Sequence, residues 1–251
     1  MSYIYFDCYA GFDVQLALGS LIDMTKDTAI ADSTIKCLIK DAYIYTEETK
    51  RQSMEGTLAY FDFCVTDETP IPQIIEKSLL DDDFKAMLKR WYKLKSDGKR
   101  YHFYDELNEL LFCAASLAII RDLGADSVYV SAMYQGNGTI ATENSITVIP
   151  SPHTELISKM AGLSVIPCDI EKEILTPGGI GFLYVLSAKH MPPKAHNIIQ
   201  SGYGAGEENI KLPNVARCIL ADESDKELSL NLEELLSDVY TEFGVMAESN
   251  K

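Results

Sequence analysis

The stretch Tyr3-Ile4-Tyr5-Phe6-Asp7-Cys8-Tyr9-Ala10-Gly11-Phe12-Asp13-Val14-Gln15-Leu16-Ala17-Leu18-Gly19-Ser20-Leu21-Ile22 changes period once, and that change decides the fold. Tyr3 to Phe6 is a short β-type run, rich in aromatic and β-branched residues. Asp7 to Gly11 reads as a turn. From Val14 to Met24 the apolar residues Leu16, Leu18, Leu21 and Ile22 take helical spacing. The unit is strand, loop, helix, with Asp7 at the strand's carboxyl end. Ligands of open α/β sheets bind outside the carboxyl ends of strands, so Asp7 is a candidate site residue.

Outward from that unit the pattern repeats. Helical spacing continues over Thr34–Leu38, and Tyr43–Tyr45 and Leu58–Val65 read as strands. Ile74 to Lys95 predicts one long helix carrying Ile75, Leu79, Leu80, Phe84, Met87, Leu88, Trp91 and Leu94, ended by Ser96-Asp97-Gly98-Lys99. A second long helix is expected from Asp105 to Asp122, stopping at Gly124. Ser127 to Met133 reads as a strand, Gly136-Asn137-Gly138 as a tight turn, and Thr139 to Ile149 as hairpin material. A helix follows over Thr154–Met160. Thr176-Pro177-Gly178-Gly179 and Gly202-Tyr203-Gly204-Ala205-Gly206 read as loops, and Val215–Leu220 as a strand. From Asp222 acidic residues dominate, but Leu228, Leu232, Leu235, Leu236, Val239 and Phe243 form a helical stripe, and Asn231 with Glu234 resembles a capping box. The expected fold is α/β, with mixed sheets and flanking helices. Two subdomains, 1–126 and 127–222, are expected, followed by an amphipathic helical tail over 223–251.

Bulk composition narrows the function classes. Of 251 residues, 47% are hydrophobic, enough for a real core. Lys plus Arg number 22 against 38 Asp plus Glu, a formal net charge of −16, which repels nucleic-acid backbones and anionic membranes. A small anion could still be held by local backbone donors. No run of about 18 apolar residues exists, so no membrane-spanning helix is expected. The N-terminus lacks a basic region and reads as a strand rather than a secretory signal. Cys8, Cys37, Cys64, Cys113, Cys168 and Cys218 are scattered singly, so free thiols and a cytoplasmic location are expected.

Chemistry-bearing residues are few. His102, Asp105, Glu106 and Glu109 fall on one helical face and could share a divalent ion. The ordinary alternative is an acidic first turn favoured by the helix dipole, beside a half-exposed histidine. Gly136-Asn137-Gly138 and the Gly202–Gly206 segment could offer backbone N–H groups to a phosphate or carboxylate, but a simple hairpin turn is the more ordinary reading of each. Neither matches a Walker A or dinucleotide fingerprint. Cys8 precedes a helix that could lower its pKa, but nothing marks a base beside it, and a buried structural thiol is the simpler reading.

Several phrases together resemble the LarC-type nickel insertion proteins. Tyr5-Phe6-Asp7-Cys8-Tyr9-Ala10-Gly11 followed by Leu18-Gly19-Ser20-Leu21-Ile22-Asp23 looks like that family's opening. Val128-Tyr129-Val130-Ser131 with Gly136 and Gly138 is similar to its middle, and Pro150-Ser151-Pro152 with Thr154-Glu155-Leu156 follows at the family's spacing. Leu175-Thr176-Pro177 with Gly179, then Gly202-Tyr203-Gly204-Ala205-Gly206, then Pro213-Asn214-Val215 with Arg217, complete an ordered series over residues 1 to about 222. The resemblance implies insertion of nickel into a pyridinium bis-thiocarboxylate mononucleotide in a CTP-dependent step. It implies catalytic roles for Asp7, His102 and Asp105, and metal contacts from His102, Asp105 and Glu109. Ligand contacts would come from Gly11, Gly136, Gly138, Thr176, Gly179, Gly202, Gly204, Gly206 and Arg217. The implied partners are a small anionic mononucleotide and either a second copy or a separate second-half polypeptide, since Asn231-Leu232-Glu233-Glu234 looks like the start of the family's nucleotide-triphosphate domain.

Departures from the family's pattern are equally specific. Asp13-Val14-Gln15-Leu16 stands for Ser-Gly-Asp-Met, and Thr66-Asp67-Glu68-Thr69 for a His-rich loop. His102-Phe103-Tyr104-Asp105 stands for His-Phe-His-Glu, Asn144-Ser145 for His-Gly, and Glu207-Glu208-Asn209 for Thr-Arg-Asp. Backbone-shaping residues are kept while proton- and metal-handling side chains change. A catalytically silent binding or scaffold relative is therefore the rival expectation.

Overall fold

A computed structural model describes residues 1–96, 102–142, 145–190 and 196–223. Strand β1 (Ser2–Asp7) leads into helix α1 (Val14–Thr25), then α2 (Ala29–Leu38), and the long hairpin β2 (Tyr43–Arg51) and β3 (Met54–Asp62). Helices α3 (Ile71–Lys77), α4 (Asp82–Lys95) and α5 (Phe103–Leu123) follow, then β4 (Ser127–Val130) and β5 (Met133–Gln135). After the hairpin β6 (Gly138–Thr142) and β7 (Ser145–Ile149) come α6 (Pro152–Ala161), β8 (Val165–Pro167), α7 (Pro177–Val185), β9 (Lys189–His190), β10 (His196–Ala205) and β11 (Val215–Glu223). The acidic tail beyond 223, with its expected helix and capping box, lies outside the described residues, as do Asp97, Gly98, Lys99 and Asn144.

Seven strands form one mixed sheet in the order β2-β3-β10-β11-β1-β4-β9. β1 runs antiparallel to β11 and parallel to β4, so strands from both sides of residue 126 share this sheet. Two two-stranded ribbons, β5 with β8 and β6 with β7, stand apart from it. Side chains alternate between sheet faces. Ile4 and Phe6 of β1 and Cys218 of β11 point into the main core, where they meet α1, α5 and α7. Tyr3, Tyr5, Tyr129, Ile219 and Ala221 form a smaller cluster. Phe6, Phe12 and Phe182 pack at 5.3–6.3 Å between ring centres, joining strand, opening loop and α7. Such rings add roughly 0.5–1.5 kcal/mol per pair beyond their burial.

Three expectations needed correction. The single helix over Ile74–Lys95 is two, broken at Ser78–Asp81. Asp81 accepts a hydrogen bond from Phe84 N at 2.9 Å and so caps a new start. Leu79, expected on the apolar stripe, is 85% exposed at the break. The Gly202–Ala205 loop is the end of β10, and Thr176–Gly179 is the capped start of α7. In both places glycines mislead, because a side-chain-free strand or helix start reads like a turn.

Candidate functional site

The loop after β1 is set by close backbone approach. Gly11 has φ +86°, and a Cβ there would lie 2.1 Å from the Ile174 carbonyl oxygen. Phe12 N donates to Ile174 O at 2.9 Å and Thr176 N donates to Phe12 O at 3.2 Å, which zips the loop onto residues 174–176. The zipper brings two helix N-termini together. Asp13 caps α1, its Oδ1 accepting from Leu16 N at 2.7 Å, and Thr176 caps α7, its Oγ1 accepting from Gly179 N at 3.1 Å. Gly179 is required at this junction because a Cβ would stand 2.4 Å from Phe12 O.

Asp13 is half-buried at the surface with its carboxyl turned inward to the α1 cap, and desolvation pushes its pKa from 3.8 up to about 6. The Leu16 N–H pulls the other way, and the charges of Glu109 and Glu207, which face it from α5 and from the segment after β10, raise it further. A carboxyl raised on folding binds more protons in the native than in the unfolded state between these values. Stability is therefore present below about pH 4 and lost as pH rises towards 6. Asp13→Asn keeps a capping side chain and removes the charge. Above pH 6 it is expected to exceed the parent in stability by up to about 3 kcal/mol, with the gap closing near pH 4. Urea melts of both proteins at pH 4 and pH 7 check this; an equal gap at both values contradicts it.

A second row crosses the sheet at the end of β1. Register places Asp7 opposite Arg217, and Arg217 opposite Tyr203. Their neighbours Phe6, Cys218 and Gly202 face α1, so alternation sends Asp7, Arg217 and Tyr203 to the other face. Arg217 Nη2 donates to Asp7 Oδ2 at 2.7 Å, and both side chains are partly exposed. Arg217 Nε is buried and has no hydrogen-bond partner among the described residues. Tyr9 lies alongside. Its hydroxyl donates to Met54 Sδ at 3.1 Å, and burial, with Asp7's charge, pushes its pKa up to about 12. Cys8 is fully buried and its thiol pKa is raised well above the ordinary value by burial and then by Asp7. Its burial matches the structural-thiol reading.

Tyr203 and Met54 also line a cleft of about 670 Å³ bounded by Asp23, Lys26, Lys50 and Thr57. Asp23 organises it, accepting from Tyr203 N at 2.7 Å, Thr57 Oγ1 at 3.2 Å and Lys26 Nζ at 2.5 Å. Row and cleft share Tyr203; in the cleft Lys26 and Lys50 stand among three carboxylates, Asp23, Glu48 and Glu55, and Lys26 is paired with Asp23.

The expected metal trio does not assemble. His102 precedes α5 and is exposed, and Asp105 is exposed in the first turn. Glu109 Oε2 is held at 2.5 Å by Lys95 Nζ, and Glu106 Oε1 lies 3.9 Å from the same ammonium. Asp105, Glu106 and Glu109 do line one cavity of about 110 Å³ beside Pro177 and Gly178, but Lys95 lines it too. Among the described residues no group of three His, Cys, Asp or Glu side chains is placed to hold an ion. An ammonium stands where the cation was expected. Sequence reading missed Lys95, although Phe84, Leu88, Trp91 and Lys95 recur at helical spacing and are the buried residues of α4.

The other glycines serve backbone packing. Gly136 would put a Cβ 1.9 Å from Lys172 O, and its N–H donates to the buried Gln135 side chain at 2.9 Å. Gln135 Oε1 also accepts from Ile174 N and Leu175 N, so this turn is a staple rather than an open anion cradle. Gly138, at φ +99°, starts β6. Gly202 and Gly204 lie against α1, and Gly206 N donates to Asn214 O at 2.9 Å. Arg51, buried at the hairpin's end, donates from Nε to Gly206 O at 2.6 Å and from Nη2 to Glu207 O at 3.1 Å. Gln15 Nε2 donates to Ala59 O at 3.0 Å and to Glu207 Oε1 at 3.2 Å. Two departures from the family pattern, Gln15 and Glu207, therefore bond to each other.

Comparison with known proteins bears on this geometry. A pyridinium-3,5-bisthiocarboxylic acid mononucleotide nickel insertion protein of Acetivibrio thermocellus is 26% identical over 255 residues, covering 90% of this chain and 62% of the relative. The protein of the same name from Staphylococcus saprophyticus is 27% identical, covering 86% and 59%. A putative nickel insertion protein of Dictyoglomus thermophilum is 24% identical, covering 99% and 69%. The chain thus spans about 60% of the length of the first two relatives. No solved structure gave a significant match. The nickel insertion protein family profile matches residues 4–245, nearly the whole sequence, and the chain belongs to that family.

Proposed function

We propose that this chain takes part in inserting nickel into pyridinium-3,5-bisthiocarboxylic acid mononucleotide, the compound in its relatives' names. Its role in that reaction is to hold the mononucleotide on the sheet face at the carboxyl end of β1, where Arg217, Asp7 and Tyr203 meet the adjoining cleft. The observation that carries this is the placement of Arg217. Asp7 holds one side of the guanidinium, Nε is left without a partner among the described residues, and the cleft beside it carries Lys26 and Lys50 together with Asp23, Glu48 and Glu55. A planar guanidinium suits phosphate and carboxylate oxygens, which this ligand supplies in one small molecule. CTP and a second polypeptide, both implied by the resemblance, would act together with this face.

A second reading is favoured by Lys95 and by the Gln15–Glu207 pair. Both put neutralising or amide contacts where handling of a divalent ion needs free carboxylates. On this reading the chain binds the mononucleotide without loading it.

The test is anoxic incubation of the protein with nickel, CTP and the mononucleotide, followed by mass spectrometry. Nickel-loaded product supports the insertion reading. Retention of the mononucleotide by the protein without product supports silent binding. Neither product nor retention, with a relative from the family active alongside, overturns both.

A further inference from the structure

Six large apolar residues with substantial exposure fall within 146–166: Ile146, Val148, Leu156, Met160, Val165 and Ile166. Their elements cannot bury them. The β6–β7 hairpin and the β5–β8 pair are two-stranded ribbons apart from the main sheet, and ribbons of two strands leave a face uncovered. Helix α6 sits between them in sequence. It buries Thr154, Ile157 and Ser158 against the body and turns Leu156 and Met160, 55% and 51% exposed, outward. These two are four residues apart and make one stripe. Glu155 and Lys159, also four apart and also exposed, make the stripe beside it. The helix is sharply bounded, by Ser151 at its start and by Gly162 at φ +65° after its end. Next to Glu155 and Lys159 a groove of about 230 Å³ runs between α6 and Val165 of β8.

The order of charges along the stripe identifies the occupant. A helix crossing antiparallel at the level of Ile157 would set its residue 159 against residue 155, and its residue 155 against residue 159. With an acid at one position and a base at the other, the complementary surface is α6 itself. Two chains of net charge −16 repel one another at long range, so contact between copies requires a locally balanced patch, and this face supplies one. A uniformly acidic or uniformly basic partner would meet one matching and one opposing charge.

We propose that α6, with β8 beside it, is a twofold interface between two copies of this chain. Leu156 and Met160 of each copy pack on those of the other, and Glu155 of one copy faces Lys159 of the other at both ends. Such an interface is isologous, each residue pair occurring twice about the axis. The apolar stripes supply the affinity and the charge pairs set the orientation, as at other protein interfaces.

The experiment is sedimentation velocity on the full chain and on Glu155→Lys, Lys159→Glu and Leu156→Glu, each checked for unchanged circular dichroism. The parent is expected to sediment as a dimer. Each single charge reversal places like charges together at both ends of the crossing and is expected to weaken dimerisation on the order of 10-fold or more. Leu156→Glu is expected to abolish it. Mixing Glu155→Lys with Lys159→Glu in equal amounts restores opposite charges at both ends, so the mixture regains the dimer that neither variant forms alone. A parent that is monomeric at the highest concentration it tolerates overturns the proposal. So does a dimer unaffected by the substitutions, or a mixture no more associated than its components.

Discussion

Replacing Lys95 by methionine is expected to lower stability by about 3 kcal/mol and the melting temperature on the order of 10 °C. The side chain is only 7% exposed, and its ammonium holds Glu109 at 2.5 Å while lying 3.9 Å from Glu106. It also lies 5.5 Å from the Trp91 ring centre and 5.7 Å from that of Tyr92. Removing one partner of such a pair leaves the other charge uncompensated, which usually costs roughly 3–5 kcal/mol. The lower end applies because Glu109 keeps 28% of its side chain in contact with solvent. Glu109 also packs tightly at the start of α7, since a Cβ on Gly178 would meet its Oε1 at 1.7 Å. Trp91 Nε1 donates to Gly178 O at 2.9 Å, so α4, α5 and α7 meet at one polar knot. The double variant Lys95→Met with Glu109→Gln is expected to recover part of the loss. Thermal melts of parent, single and double variants decide this, and equal melts for parent and single variant contradict it.

Gly204→Ala is expected to destabilise by about 3 kcal/mol, the upper end of the range for overpacking a core. Its Cβ would lie 2.1 Å from Leu16 O and 2.4 Å from Ser20 N, both on the backbone of α1. Gly19 answers it from the helix, where a Cβ would stand 3.0 Å from the Gly204 Cα and 2.3 Å from Thr57 O. Two glycines facing each other let α1 cross β10 and β3 closer than any side chain would allow. Strain here is relieved only by moving the helix whose capped start, at Asp13, borders the site. Denaturant titration is the check. A fall of less than about 1 kcal/mol, smaller than usual overpacking, would mean that α1 can retreat.

These two positions also show what a sequence can and cannot disclose. Leu16, Leu18, Leu21 and Ile22 mark α1 by period alone, and Asp13 ahead of them is a capping residue by type. The mixed α/β architecture follows from strands and helices that alternate in the first third of the chain. Gly202-Tyr203-Gly204-Ala205-Gly206 was illegible as a strand because its glycines answer a helix nearly two hundred residues earlier. Local propensity contains no trace of such a contact. The break at Ser78–Asp81 was hidden for the opposite reason, since Leu79 and Leu80 continue the apolar spacing across it. At the site, Asp7 and Arg217 were both readable as candidates, one from its place after a strand and one from the family resemblance. That they are cross-strand neighbours required the register of β1 with β11. On the face of His102, Asp105, Glu106 and Glu109, nothing in the sequence marks the lysine that α4 brings against Glu109, and its presence agrees with the acidic first turn.

The most direct test of the proposed role is calorimetric titration of pyridinium-3,5-bisthiocarboxylic acid mononucleotide into the parent chain and into Arg217→Met, without nickel. Binding to the parent, weakened on the order of 10- to 100-fold in the variant with the fold intact by circular dichroism, is the predicted result. Equal affinity in both proteins, or no binding to the parent, would contradict the placement of the ligand on the Arg217 face.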